Sequence, residues 1–60
     1  MQKRFMKVKE ITEHLNVSQH TIRAWVKTGY IPFCKFGRSV RFDLLKIEGW
    51  IKAKEVKYLG

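Results

Sequence analysis

The chain has 60 residues, with 13 Lys+Arg against 5 Asp+Glu and a formal net charge of +8. A length of this order makes one domain that buries only about 60% of its unfolded surface, which leaves little room for a deep catalytic pocket beside the core. Like charges on a compact chain repel, so the excess points to a polyanionic partner (DNA, RNA or an acidic membrane surface), the alternative being a surface that is simply basic.

Residues 1–6 read as a basic N-terminal tail whose first four residues, MQKR, fray. No apolar run of signal-peptide length follows, and no stretch approaches a membrane span. The expected domain covers residues 7–57, with 58–60 as a C-terminal tail. In VKEITEHL (8–15) the apolar residues Val8, Ile11 and Leu15 form one helical stripe. Lys7 takes the N-cap position, where it lacks the side-chain acceptor that Ser or Thr would supply. Glu10 can still reach back to a free N–H, and Asn16 can end the helix in the left-handed conformation. Ser18 then caps a second helix, 19–28, which Gly29 stops and Pro32 prevents from continuing. Helix, a turn of three residues, helix is the helix-turn-helix layout.

The period changes in FCKFGRSVRF (33–42), where apolar Cys34, Phe36, Val40 and Phe42 alternate with polar Lys35, Ser39 and Arg41. This predicts a two-stranded hairpin. Pairing Phe36 with Val40 through a three-residue loop, 37–39, keeps the apolar side chains on one face, whereas a two-residue loop would set Lys35 against Val40. In the three-residue reading Lys35 and Arg41 oppose each other as like charges, which destabilises a strand pair unless a polyanion lies along it. Asp43 can cap a third helix, 44–57, with Leu44, Ile47, Trp50 and Ile51 on its apolar face. The fold class is therefore α+β, mostly α: a winged helix-turn-helix of three helices, with a hairpin wing between the second and third.

In the second helix Ile22, Trp25 and Val26 fall on one side and dock on the first helix. His20, Arg23, Ala24 and Lys27 fall on the other, with Gln19 flanking them. A major groove admits one α-helix; Arg can bond guanine in a bidentate way, Gln can do the same to adenine, and Ala can meet a thymine methyl. Lys27 suits a phosphate, as does the helix N-terminus with Ser18. Arg38 projects from the hairpin tip, where an arginine can enter a minor groove. The plain alternatives are a solvated charged helix face and charged strands that guard an exposed edge.

Catalytic and metal chemistry find no support. His14 and His20 lie on different helices without an acidic partner, and no carboxylate pair is spaced for general acid/base work. Cys34 is alone, so neither an internal disulfide nor a Cys/His metal pattern is available. It reads as a small core residue in a reducing, cytoplasmic setting. No cofactor is expected. The last helix, with Trp50, Ile51 and Val56 among Lys52, Lys54 and Lys57, loosely fits an interfacial membrane helix. Asp43 and Glu48 argue against that, and no membrane partner is expected.

The order KVKEITEHLNVSQHTIRAWVKTGYIPFCKFGRSVRFDLLKIEGWI (7–51) resembles the small winged-helix excisionase family within the MerR-like group. The likeness runs through Val8, Glu10, Ile11, Asn16–Ser18, Thr21, Ile22, Trp25, Val26, Gly29, Ile31, Pro32, Lys35–Arg38, Val40–Phe42, Trp50 and Ile51. Lys7, His14 and Asn16 depart from the usual pattern. The resemblance implies that the second helix enters a major groove through Gln19, His20, Arg23 and Lys27. It implies that Lys35, Arg38 and Arg41, with Ser39 beside the tip, hold the wing on double-stranded DNA. It further implies an architectural protein whose copies bind adjacent sites, bend the DNA and assist a tyrosine integrase in excising a mobile element. The same domain also serves small transcriptional regulators, and a protein-interaction module is a more distant possibility.

Overall fold

The computed structural model describes residues 4–56. Its elements in chain order are β1 (Phe5–Met6), α1 (Val8–Leu15), α2 (Gln19–Thr28), β2 (Cys34–Phe36), β3 (Ser39–Asp43) and α3 (Leu44–Lys54). The strands form an antiparallel sheet in the order β1-β3-β2. This is the winged helix-turn-helix expected, with one strand more than the hairpin alone.

Both helices of the helix-turn-helix begin and end where their caps predict. The Lys7 backbone N–H donates to Glu10 Oε1 at 2.9 Å, while the Lys7 ammonium, which has no acceptor, leaves the reciprocal cap unmade. Asn16 takes the left-handed conformation at φ 57° and closes α1. Ser18 Oγ accepts from the Thr21 N–H at 3.1 Å and opens α2. Gly29, at φ 74°, ends α2, with its N–H turned back to Trp25 and Val26 carbonyls.

The core lies where α1, α2, α3 and β3 meet. Ile11, Ile22, Ile31, Phe42 and Ile47 are fully buried, and Met6 and Leu44 close the edges. Val8, Leu15, Trp25, Val26 and Trp50 pack against it while only partly buried. Trp25 is thus half-buried, at the rim rather than the centre. Its ring meets Tyr30 and Trp50 at centroid distances of 5.2 and 5.9 Å, and Trp50 Nε1 donates to the Tyr30 carbonyl at 3.0 Å.

Four local expectations are corrected. Residues 5 and 6 are not tail: Met6 pairs with Phe42 and Phe5 with Asp43, and Met6 is buried. The hairpin register is Cys34 with Arg41, Lys35 with Val40 and Phe36 with Ser39, so the loop has two residues. Gly37, at φ 63°, occupies the first loop position, which is where a two-residue II′ turn requires glycine. Turn geometry therefore outweighs the matching of apolar faces. Val40 and Phe42 turn to the core, while Cys34 and Phe36 share the outer face with Arg41. Phe36 is exposed there and meets Phe5 edge-on, centroids 5.6 Å apart, and Cys34 is half-buried rather than a core residue. Finally, α3 ends at Lys54 rather than 57. Ile51 is exposed, and Val56 beyond the helix end is more exposed still, so no apolar contact draws the chain further into a helix. Residues 57–60 and 1–3 lie outside the described residues.

Asp43 joins the sheet to α3. Its carboxylate accepts from Arg4 Nε (3.3 Å) and Nη2 (3.1 Å) and caps α3 through the Leu45 N–H (3.1 Å). The Arg4 hydrogen bonds hold the carboxyl below its ordinary value of 3.8; burial works the other way, and the Leu45 N–H adds to the lowering. A carboxyl whose folded pKa is depressed binds fewer protons folded than unfolded, so stability rises with pH between the two values. The contribution is complete above 3.8 and lost as pH falls through the depressed folded value. Thermal melts across that window should therefore decline for the parent and decline less for Asp43→Asn, which should already melt lower at neutral pH. Parallel acid limbs for the two proteins would remove Asp43 from this role.

Candidate nucleic-acid interface

The apolar side of α2 is anchored by Ile22, which leaves Gln19, His20, Arg23, Ala24 and Lys27 exposed on the other side. Ser18 is exposed as well, but its hydroxyl oxygen already serves as the cap acceptor and lies 3.0 Å from Thr21 Oγ1. On the hairpin, Arg38 and Ser39 are exposed at the tip. Lys35 is exposed beside Val40 rather than opposite Arg41. The expected strain of two facing cations on the hairpin therefore does not exist. Arg41 is half-buried, and its guanidinium Nη1 donates to the Val40 carbonyl at 2.7 Å.

The fold brings part of this set together. Arg23 from α2, Arg38 and Arg41 from the hairpin and Lys7 from the start of α1 line one cleft of about 440 Å3. Val8, Val26 and Val40 line it between them, and Ser39 borders it on the hairpin side. Among the described residues no carboxylate lines this cleft, and none of the four cations makes an ion pair. Gln19, His20, Ala24, Lys27 and Lys35 lie outside it. A second cleft, of about 550 Å3, lies against α3, but His14, Lys52 and Lys54 there are mixed with Glu48 and Glu55. Charge of one sign is thus concentrated where α2 meets the wing.

Of the four, Lys7 is the one whose position in the sequence points only to a poor helix cap. Its place follows from β1, which pairs with β3 as far as Met6 and Phe42 and so delivers Lys7 to the cleft that Arg41 also lines. The misfit of a lysine at a capping position was the available signal, since its side chain contributes nothing to the helix start.

Among the described residues no helix is long and apolar enough to cross a membrane. Of the apolar residues of α3, Leu44 and Ile47 are buried in the core, whereas Leu45 and Ile51 are exposed. Comparison with curated proteins and with solved structures returned no match. Comparison with protein families matched residues 5–55 to a helix-turn-helix domain. That span begins at β1, contains both helices and the hairpin, and takes in α3. With most of its length inside that match, the chain belongs to the helix-turn-helix domain family and is a DNA-binding domain.

Proposed function

We propose that this protein binds duplex DNA sequence-specifically, with α2 in a major groove and the hairpin tip at the neighbouring minor groove, and that it acts as an excisionase. In this reading Gln19, His20 and Arg23 read base edges, Ala24 permits close approach, and Ser18 and Lys27 hold phosphates. Arg38 senses the minor groove, with Lys35, Ser39 and Arg41 holding the wing. The observation that carries the docking mode is the single-sign cleft between α2 and the hairpin, which puts both exposed elements on one side of the domain. The excisionase role rests on the motif resemblance: bound copies bend DNA cooperatively and assist a tyrosine integrase in the cytoplasm. The runner-up is a small MerR-like transcriptional regulator, because a helix-turn-helix domain serves both roles.

Selection of bound duplexes from a random library, followed by a bend assay on the winners, separates these readings. Tandem direct repeats that bend as they fill support the excisionase. A palindrome or a single unbent site supports the regulator. Absence of enrichment at physiological salt rejects specific recognition. On the selected site, Arg23→Ala should cost about 1–3 kcal/mol and relax the preference at one base pair if Arg23 pairs with guanine. Equal weakening on every sequence would make Arg23 a phosphate contact instead.

A further inference from the structure

We infer that the cleft between α2 and the wing is a clamp for a single phosphodiester of one DNA strand, closed by Lys7 and Arg41; this rests on the groove-docking reading above. A major groove and the minor groove beside it are separated by one sugar–phosphate backbone. A domain with a helix in one groove and a hairpin tip in the other must therefore straddle that backbone. The space it straddles with is the cleft of about 440 Å3. Arg23 stands on its helix side and Arg38 on its hairpin side, each at the entrance to one groove. Lys7, which follows directly on the Met6–Phe42 pair of β1 and β3, and Arg41 line the same cleft, and among the described residues no carboxylate lines it.

The chemistry of the walls fits a nucleotide unit rather than a free inorganic anion. Three valines, from α1, α2 and β3, present apolar surface suited to the carbon face of a deoxyribose. The Arg41 guanidinium is held by its bond to the Val40 carbonyl, so one donor group is oriented before DNA arrives. Lys7 adds a compact charge whose ammonium is not needed by the helix it precedes, because the cap there is the Lys7 backbone N–H to Glu10. Two cations that line one cleft without a carboxylate among its described lining residues repel in the free protein, and a phosphate between them reverses the sign of that interaction. Three elements far apart in sequence thus set one contact, which fixes the angle between helix and wing on the duplex without reading any base.

The test joins a protein variant to a chemical scan of the DNA. Lys7→Gln removes the charge and leaves the backbone cap, so its melting temperature should match the parent. Its affinity should fall about eightfold at about 0.1 M salt on all sequences, with the salt slope shallower by about 0.9. Neutral methylphosphonates are then placed one at a time along both strands of the selected duplex. The parent should lose affinity sharply at one phosphate per bound copy, between the major-groove and minor-groove footprints, and Lys7→Gln should be less sensitive there. Arg41→Gln, if it melts as the parent does, should lose sensitivity at the same phosphate. Parent binding with a flat scan, or equal sensitivity in Lys7→Gln, overturns the clamp and leaves the groove reading standing. No binding to any duplex at low salt overturns both.

Discussion

Phe42→Ala is expected to leave the chain largely unfolded at about 25 °C. Phe42 is fully buried and sits in the central strand of the sheet, paired with Met6 of β1. Removing a buried Phe side chain costs about 3–5 kcal/mol, because the transfer free energy is lost and a cavity remains. A core in a chain of this size rarely supplies more than about 3–5 kcal/mol of net stability. The two quantities are equal in scale, so one substitution removes the margin. Circular dichroism melts should show loss of the cooperative transition, or a midpoint lower by about 15 °C or more. A cooperative melt within a few degrees of the parent would mean that the core collapses around the gap. Trp25→Ala should cost less than Phe42→Ala, since Trp25 is only half-buried at the rim.

Duplex affinity should fall about 500-fold when monovalent salt rises from about 50 to about 200 mM. About five phosphate contacts give a log–log slope near −4.5, because each neutralised phosphate releases close to one counterion. In the proposed docking mode Lys7, Lys27, Lys35, Arg38 and Arg41 are the cations set on or beside the backbone, which accounts for about five contacts out of a net charge of +8. Fluorescence anisotropy of a labelled duplex over a salt series measures the slope directly. A slope flatter than about −2 would mean that the basic surface is solvated rather than seated on phosphates. A steep slope without sequence preference would leave DNA binding intact and remove the base-reading role of α2.

The parts of the fold legible in the sequence are those governed by contacts within four or five residues. The bounds of α1 and α2 follow from Glu10, Asn16, Ser18 and Gly29, each acting on backbone groups of its own turn. The same holds for Asp43, which caps α3 as expected. The hairpin was legible as an element but not in its register. Two local rules competed there, apolar facing and turn chemistry, and Gly37 at the first loop position decided for the second. Off the core face Phe36 meets Phe5, which lies on a strand that has no sequence period to announce it. Two residues are too few for an alternation to appear.

Candidate site residues divide the same way. The exposed face of α2 was readable, since a helical period and one buried Ile22 determine which side chains point out. The cleft was not, because its cations come from residues 7, 23, 38 and 41, and nothing in their spacing along the chain joins them. By itself, then, the sequence determined the helix-turn-helix, the hairpin, the basic character and the outward face of α2, all products of caps, turns and periodicity. The tertiary structure alone decided the third strand and the placing of Lys7 and Arg41 in one cleft. The reason is physical: β1 pairs with β3 across almost forty residues, and such a pairing forms only when the core that closes the intervening loop holds both strands in place.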